Sequence, residues 1–211
     1  MNVLLWSGGK DSALALAALG SRVAALLTTL ADGRVATHGV PVELVRAQAR
    51  SAGLSLVEAD LPPWPSNAVY EHGLAQALAD PRLAGLDVAA GDLFLEDVRA
   101  YREDRLAALG RGTIFPLWGL DTRELAERFV REGYRAVIVC VDPRVLDASF
   151  AGREFDERVL RDLPPGVDPC GENGELHTFV YDGPPFANRV RFGRGEVSER
   201  DGLVYCDLAP A

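Results

Sequence analysis

A parallel sheet covered by helices on both faces, carrying a smaller α+β tail, is the fold this sequence predicts. Three observations carry that expectation. Short β-rich apolar runs alternate with helical segments from the first residues to about Asp142, the first run ends in a Ser-Gly-Gly turn that opens an apolar helix, and past Asp142 the texture changes to scattered Pro and Gly. The chain's 211 residues suffice for one α/β body with an appended unit, and 1–142 and 143–211 are the divisions expected.

Val3 to Trp6 reads as a buried first strand, and Ala13 to Leu19 as a helix stopped by Gly20. Val23 to Leu30 is the second strand. Pro41 opens a helix whose Val42, Val45, Ala49 and Ala52 share one face before Gly53 ends it. Leu54 to Ala59 is a third strand, Ser66 an N-cap for a helix to Ala79, and Asp87 to Ala90 a fourth strand ending at Gly91-Asp92. A helix from about Arg99 to Leu109 follows. Asp121 caps another to Glu132, and Arg135 to Val141 is the most strand-like segment of all, expected in the same parallel sheet. In the tail, Leu176 to Tyr181 and Asn188 to Phe192 read as short strands.

Composition excludes several classes. Hydrophobic residues make up 48% and charged residues 25%, no apolar run approaches the ~20 residues of a membrane-spanning helix, and the first residues lack a basic start, so a cytoplasmic protein off the membrane is expected. A net charge of -9 argues against broad capture of nucleic acid, which needs clustered Lys and Arg. Cys140, Cys170 and Cys206 lie far apart with no C-x-x-C pairing, which suggests neither disulfides nor zinc. Assembly into homodimers is neither required nor excluded.

Of the 22 basic residues only Lys10 is a lysine, and it sits in Ser7-Gly8-Gly9-Lys10-Asp11-Ser12. A glycine turn between a strand and a helix aims backbone N–H groups outward, and the helix N-terminus adds partial positive charge, so the place suits phosphate. A compact ammonium fits such a nest where a planar guanidinium does not. The glycines are adjacent, unlike those of G-x-x-x-x-G-K-[ST].

Ser-Gly-Gly-Lys-Asp-Ser after strand one resembles the pyrophosphate loop of the ATP pyrophosphatases, which have an adenine-nucleotide α-hydrolase (HUP) fold. Two further stretches, Gly91-Asp92-Leu93-Phe94-Leu95-Glu96-Asp97-Val98-Arg99-Ala100-Tyr101-Arg102-Glu103 and Cys170-Gly171-Glu172-Asn173-Gly174-Glu175-Leu176-His177-Thr178-Phe179, resemble the diphthine-ammonia ligase family in its short form. The resemblance implies ATP with Mg²⁺, ammonia, and a carboxylate acceptor, either diphthine on an elongation factor or a related carboxylate. It implies adenylylation of the acceptor, release of pyrophosphate, and amide formation.

On this reading Ser7, Gly8, Gly9, Lys10, Asp11, Ser12, Gly91 and Asp92 bind nucleotide, with Asp11 the candidate for metal. His38 follows strand two and is expected on the same rim, as a further nucleotide-binding candidate for contact with adenine, ribose or the acceptor. Glu96, Asp97, Arg99, Arg102 and Glu103 are candidates for metal, amine, phosphate or carboxylate. Glu172, Asn173, Gly174, Glu175 and Thr178 are candidates for acceptor or ammonium. Lys10, Asp11, Glu172 and Glu175 are the expected catalytic groups. The alternatives are an RNA-thiolating or other adenylylating enzyme of the same superfamily, and a regulatory module that holds ATP without turnover.

Overall fold

The chain runs β1 (Asn2–Leu5), α1 (Lys10–Leu19), β2 (Val23–Ala31), β3 (Arg34–Val35), α2 (Val42–Ser51), β4 (Ser55–Leu61), α3 (Asn67–Leu78), β5 (Asp87–Ala89), α4 (Glu96–Ala108), β6 (Thr113–Ile114), α5 (Thr122–Arg131), β7 (Arg135–Val141), α6 (Glu157–Asp162), β8 (Leu176–Asp182), β9 (Phe192–Arg200) and β10 (Leu203–Pro210). The structure is a computed structural model and describes residues 1–211. β1 lies between β2 and β5, with β4 beyond β2 and β6 beyond β5, all parallel; β3 folds back antiparallel on the end of β2. The fold is thus α/β with a mostly parallel central sheet and a smaller antiparallel sheet. No helix is long and apolar enough to cross a membrane.

Strand periodicity sends neighbours in β1 to opposite faces, and the core divides accordingly. Val3 packs with Ala25, Leu27, Leu74 and Leu106 on the α3 and α4 side, whereas Leu4 packs with Leu14, Leu26 and Leu44 on the α1 and α2 side. That second cluster continues without a break into Val139, Phe179 and Val204 of the antiparallel sheet. The two sheets therefore share one core.

Several local expectations hold. Ser66 accepts from Val69 N at 3.4 Å and Asp121 from Glu124 N at 2.8 Å, so both caps satisfy N–H groups that a helix start leaves unpaired. Pro41 precedes α2 as its cap, and Val42, Leu44, Val45 and Ala49 are buried beneath it. α4 begins at Glu96 rather than near Arg99, with Glu96 and Asp97 in its first turn, where acidic groups complement the helix dipole.

Two expectations fail. Arg135–Val141, expected in the parallel sheet, pairs antiparallel with β8 and β10, so the second sheet draws on residues before Asp142. An unbroken apolar run signals burial on both faces and does not say in which sheet. Asn188–Arg191 is not strand; β9 starts at Phe192 and runs through Gly193 and Gly195. As an edge strand paired only with β10, it tolerates glycines that would weaken a central strand.

Candidate functional site

The parallel order leaves a crevice where the loops after β1 and β5 part to opposite sides of the sheet, the place where such sheets bind ligands. Gly8 has φ +77°, a left-handed conformation that favours glycine, and its carbonyl accepts from Val180 N at 2.9 Å. Gly9 N donates to Ser7 Oγ at 3.2 Å, Ser12 Oγ donates to Gly9 O at 2.8 Å, and Lys10 N donates to Thr178 Oγ1 at 3.0 Å. Loop and α1 are thereby fixed against β8.

The loop after β5 presses on the start of α1. A Cβ on Gly91 would lie 3.0 Å from both C and O of Asp11, which are backbone atoms unable to swing aside. Gly91→Ala is therefore expected to lower stability by roughly 1–3 kcal/mol, as overpacking does, and to weaken ligand binding at the loop. Chemical denaturation together with ATP calorimetry checks this; an unchanged midpoint and affinity would show that the contact relaxes freely.

The Lys10 side chain is 2% exposed, and its ammonium donates to Asp11 Oδ2 at 2.9 Å and to the Cys170 carbonyl. Burial works against the charge, but Asp11, seconded by Cys170 and Asp168, outweighs it and holds the pKa above that of an ordinary lysine. Asp11 Oδ1 is buried without a hydrogen-bond partner. No cluster of three His, Cys, Asp or Glu side chains is arranged to hold a metal by itself.

Around a cavity of about 400 Å³ stand Ser7, Gly9, Lys10, Asp11 and Ser12, with His38 on one side, Gly91, Asp92 and Arg102 on another, and Glu172 and Thr178 above. Asp92 Oδ2 faces Arg102 Nε at 3.0 Å without the alignment of a hydrogen bond. Glu172 Oε1 accepts from Leu93 N at 2.7 Å, joining the tail to the β5–α4 loop. Burial is the main cause that raises the Glu172 carboxyl to about 7, and Asp11 and Asp92 add to it.

That shift has a sign that can be tested. A carboxyl whose pKa rises from 4.5 to about 7 on folding holds its proton more tightly in the native state. Its contribution to stability is full below pH 4.5 and is lost as pH rises through 7. Glu172→Gln removes it, so the melting temperature of the wild type is expected to fall relative to the variant across that window. Parallel pH profiles would contradict the assignment.

Other expected site residues lie elsewhere. Glu175 is 6% exposed and does not reach the cavity; its carboxylate accepts from Asp168 N at 3.2 Å, Asn173 N at 3.0 Å and Asn173 Nδ2 at 2.9 Å. It braces the loop from within, with Asn173 as its partner and Gly174 turning at φ +90°. Arg99 pairs with Glu103 at 2.8 Å and stacks over Trp118 at 4.7 Å, while Glu96 and Asp97 are exposed; none of the four lines the cavity. Successive helical residues are about 100° apart, which sends Arg102 inward and leaves Glu103 outside.

Three residues at the site carried little sequence signal. His177 lies against His38 with ring centroids 4.6 Å apart and planes tilted by 38°; burial first, then Lys10, lowers His177 to about 4, and burial and His177 hold His38 well below the usual histidine range. Both rings are therefore neutral near pH 7. Tyr70 lines the cavity from α3. Gln48 of α2 is fully buried behind the loop. Cys170 contributes its carbonyl, while its thiol donates to Thr122 O at 3.3 Å and is pushed well up by burial, leaving no reactive thiolate.

Residues 1–103 match the family model described as diphthamide synthase N-terminal domain, and residues 121–208 the one described as diphthamide synthase C-terminal domain. The chain belongs to the diphthamide synthase family. The cavity of this diphthamide synthase family member is built from both matched regions, with the Ser7–Ser12 loop, Asp92 and Arg102 from the first and Glu172, His177 and Thr178 from the second. A curated relative, the diphthine–ammonia ligase of Schizosaccharomyces pombe, is 27% identical over 125 residues, which span 57% of this chain and 21% of that protein. Among solved structures, a predicted subunit of tRNA methyltransferase from Methanocaldococcus jannaschii is 18% identical, with 85% of this chain and 95% of that one covered at a TM-score of 0.45.

Proposed function

We propose that the protein is an ATP-dependent amide ligase that adenylylates an acceptor carboxylate and aminates it with ammonia, releasing AMP and pyrophosphate. The observation that carries this reading is the joining of the Ser7–Ser12 loop, with its buried ammonium, to the acidic Glu172 in one cavity. A polyphosphate suits the α1 N-terminus, where Gly9 N is turned toward Ser7 Oγ at the cavity and the dipole favours negative charge. Lys10 and the loop amides then stabilise charge that develops on the leaving pyrophosphate.

Magnesium fits the residues present. The unpartnered, buried Asp11 Oδ1 offers the hard oxygen that such an ion prefers. When bound, it neutralises phosphate charge. Asp11 would hold it there while its other oxygen keeps Lys10 in place.

The acceptor carboxylate attacks the α-phosphorus, the bond to pyrophosphate breaks, and ammonia then displaces AMP from the acyl-adenylate. The attacking nitrogen must lose a proton, and Glu172, with a carboxyl near 7, is suited to receive it at neutral pH. Diphthine on an elongation factor is the acceptor that the family membership favours, within a cytoplasmic setting. Sulfur transfer to RNA is not favoured, because all three cysteines are buried.

Products test the reading. Incubation with ATP, magnesium, ammonium and candidate carboxylates, including diphthine-bearing elongation factor, is expected to yield AMP and pyrophosphate in step with amide. ADP and phosphate as the main products would reject the mechanism. ATP bound without any turnover across the acceptor panel would favour a nucleotide-binding module instead.

A further inference from the structure

The loop from Ser7 to Lys10 rests on the free edge of β8, the outermost strand of the antiparallel sheet. Val180 offers that edge both an N–H and a carbonyl. The N–H is used by Gly8 O at 2.9 Å, but the loop turns away at Gly9 and returns no donor to the carbonyl. Gln48 fills the gap. Its Nε2 donates to Val180 O at 2.6 Å and to Gly8 O at 2.9 Å, and its Oε1 accepts from Trp6 Nε1 at 2.9 Å. The side chain has no accessible surface, and every hydrogen-bonding atom of its amide is engaged except one acceptor lone pair.

The consequence falls on the next peptide. Gly8 O and Gly9 N–H belong to one planar trans unit, so they point in opposite directions. With the carbonyl held from two sides by Gln48 and Val180, the Gly9 N–H is turned toward Ser7 Oγ and the cavity. Two adjacent glycines have little intrinsic preference between this peptide orientation and its reverse. We infer that Gln48 is the positioning residue that selects the orientation in which the Gly9 amide faces the bound polyphosphate. This rests on the reading of the Ser7–Ser12 loop as a nucleotide site.

Gln48 touches no substrate, because Gly8 and β8 stand between it and the cavity. The choice of side chain is constrained. Leucine has similar bulk and no donor, asparagine is one methylene too short to span Gly8 O, Val180 O and Trp6 together, and glutamate replaces the donating end by an acceptor facing two carbonyls.

The test compares the wild type with Gln48→Leu, and with the unbranched Gln48→Met should the leucine variant fail to fold. ATP affinity by calorimetry is measured well below each melting transition, and the Gly9 amide resonance is followed in nucleotide-free protein. A positioning role is expected to weaken ATP binding by at least about tenfold in fully folded variant, the equilibrium value of about one lost hydrogen bond, and to move the Gly9 amide. A lower melting temperature with ATP affinity within twofold and an unmoved Gly9 amide would overturn it, leaving Gln48 a packing residue. If the wild type itself binds no ATP, the nucleotide reading of the loop falls. The Gly9 amide then still decides whether Gln48 sets that peptide.

Discussion

Lys10→Arg is expected to cut ATP-dependent pyrophosphate release by roughly 10²–10³-fold, the loss typical when one preorganised donor to a developing anion is removed. The site explains why so conservative a change is costly. Lys10 is 2% exposed, its ammonium lies between Asp11 Oδ2 and the Cys170 carbonyl, and Phe155 closes the side at 5.8 Å from Nζ. A guanidinium is planar, wider, and carries five donors where two acceptors are at hand. It must either push the Cys170 carbonyl away or leave donors unpaired in a buried place. The same crowding is expected to lower stability by about 1–3 kcal/mol, so circular dichroism and a melting curve accompany the assay. Folded variant with turnover near that of the wild type would remove Lys10 from the mechanism.

Glu172 and Glu175, three residues apart, are expected to fail in different ways. Glu172 lines the cavity and its carboxylate accepts only from Leu93 N, so Glu172→Gln keeps a hydrogen-bond acceptor while removing the proton acceptor. ATP affinity should stay within roughly threefold while amide formation falls about 10²–10⁴-fold, because a group acting on the second substrate contributes little to ground-state nucleotide binding. Glu175 holds three donors of its own loop from a buried position. Glu175→Ala is therefore expected to cost about 3 kcal/mol of stability and to lower every activity together as the loop loosens. Calorimetry, amide yield and denaturation midpoints, read side by side, decide the matter. Full activity in Glu172→Gln would return that carboxylate to a structural role. Glu175→Ala with unchanged stability and selective loss of amide formation would restore the catalytic part that the family resemblance implies for it.

How far the sequence could be read depended on how local the cause was. The Ser7–Ser12 loop was legible as a strand, two glycines, a lone lysine and a helix start because these are consecutive, whereas its distant partners Thr178, Cys170 and Gln48 were not. The caps at Ser66 and Asp121 were legible for the same reason, since each bonds an amide three residues on. Glu172 and Glu175 look alike in a sequence, both acidic beside glycine. Only the fold shows that one faces Leu93 from across the chain and the other turns back on Asn173.

By itself the sequence determined most of the alternation of strands and helices through residue 131, though not the short β3 and β6, together with the glycine turn that opens α1 and the acidic content of the tail loop. These follow from propensity, periodicity and spacing, all properties of neighbours in the chain. Tertiary structure alone decided that β7 joins the antiparallel sheet, that Arg102 and not Arg99 reaches the cavity, that His38 meets His177, and that Gln48 stands behind Gly8. Each of these depends on which buried surface covers which, a choice made by packing and hydrogen-bond satisfaction between segments tens of residues apart, and an apolar run or a lone polar residue carries no record of its distant partner.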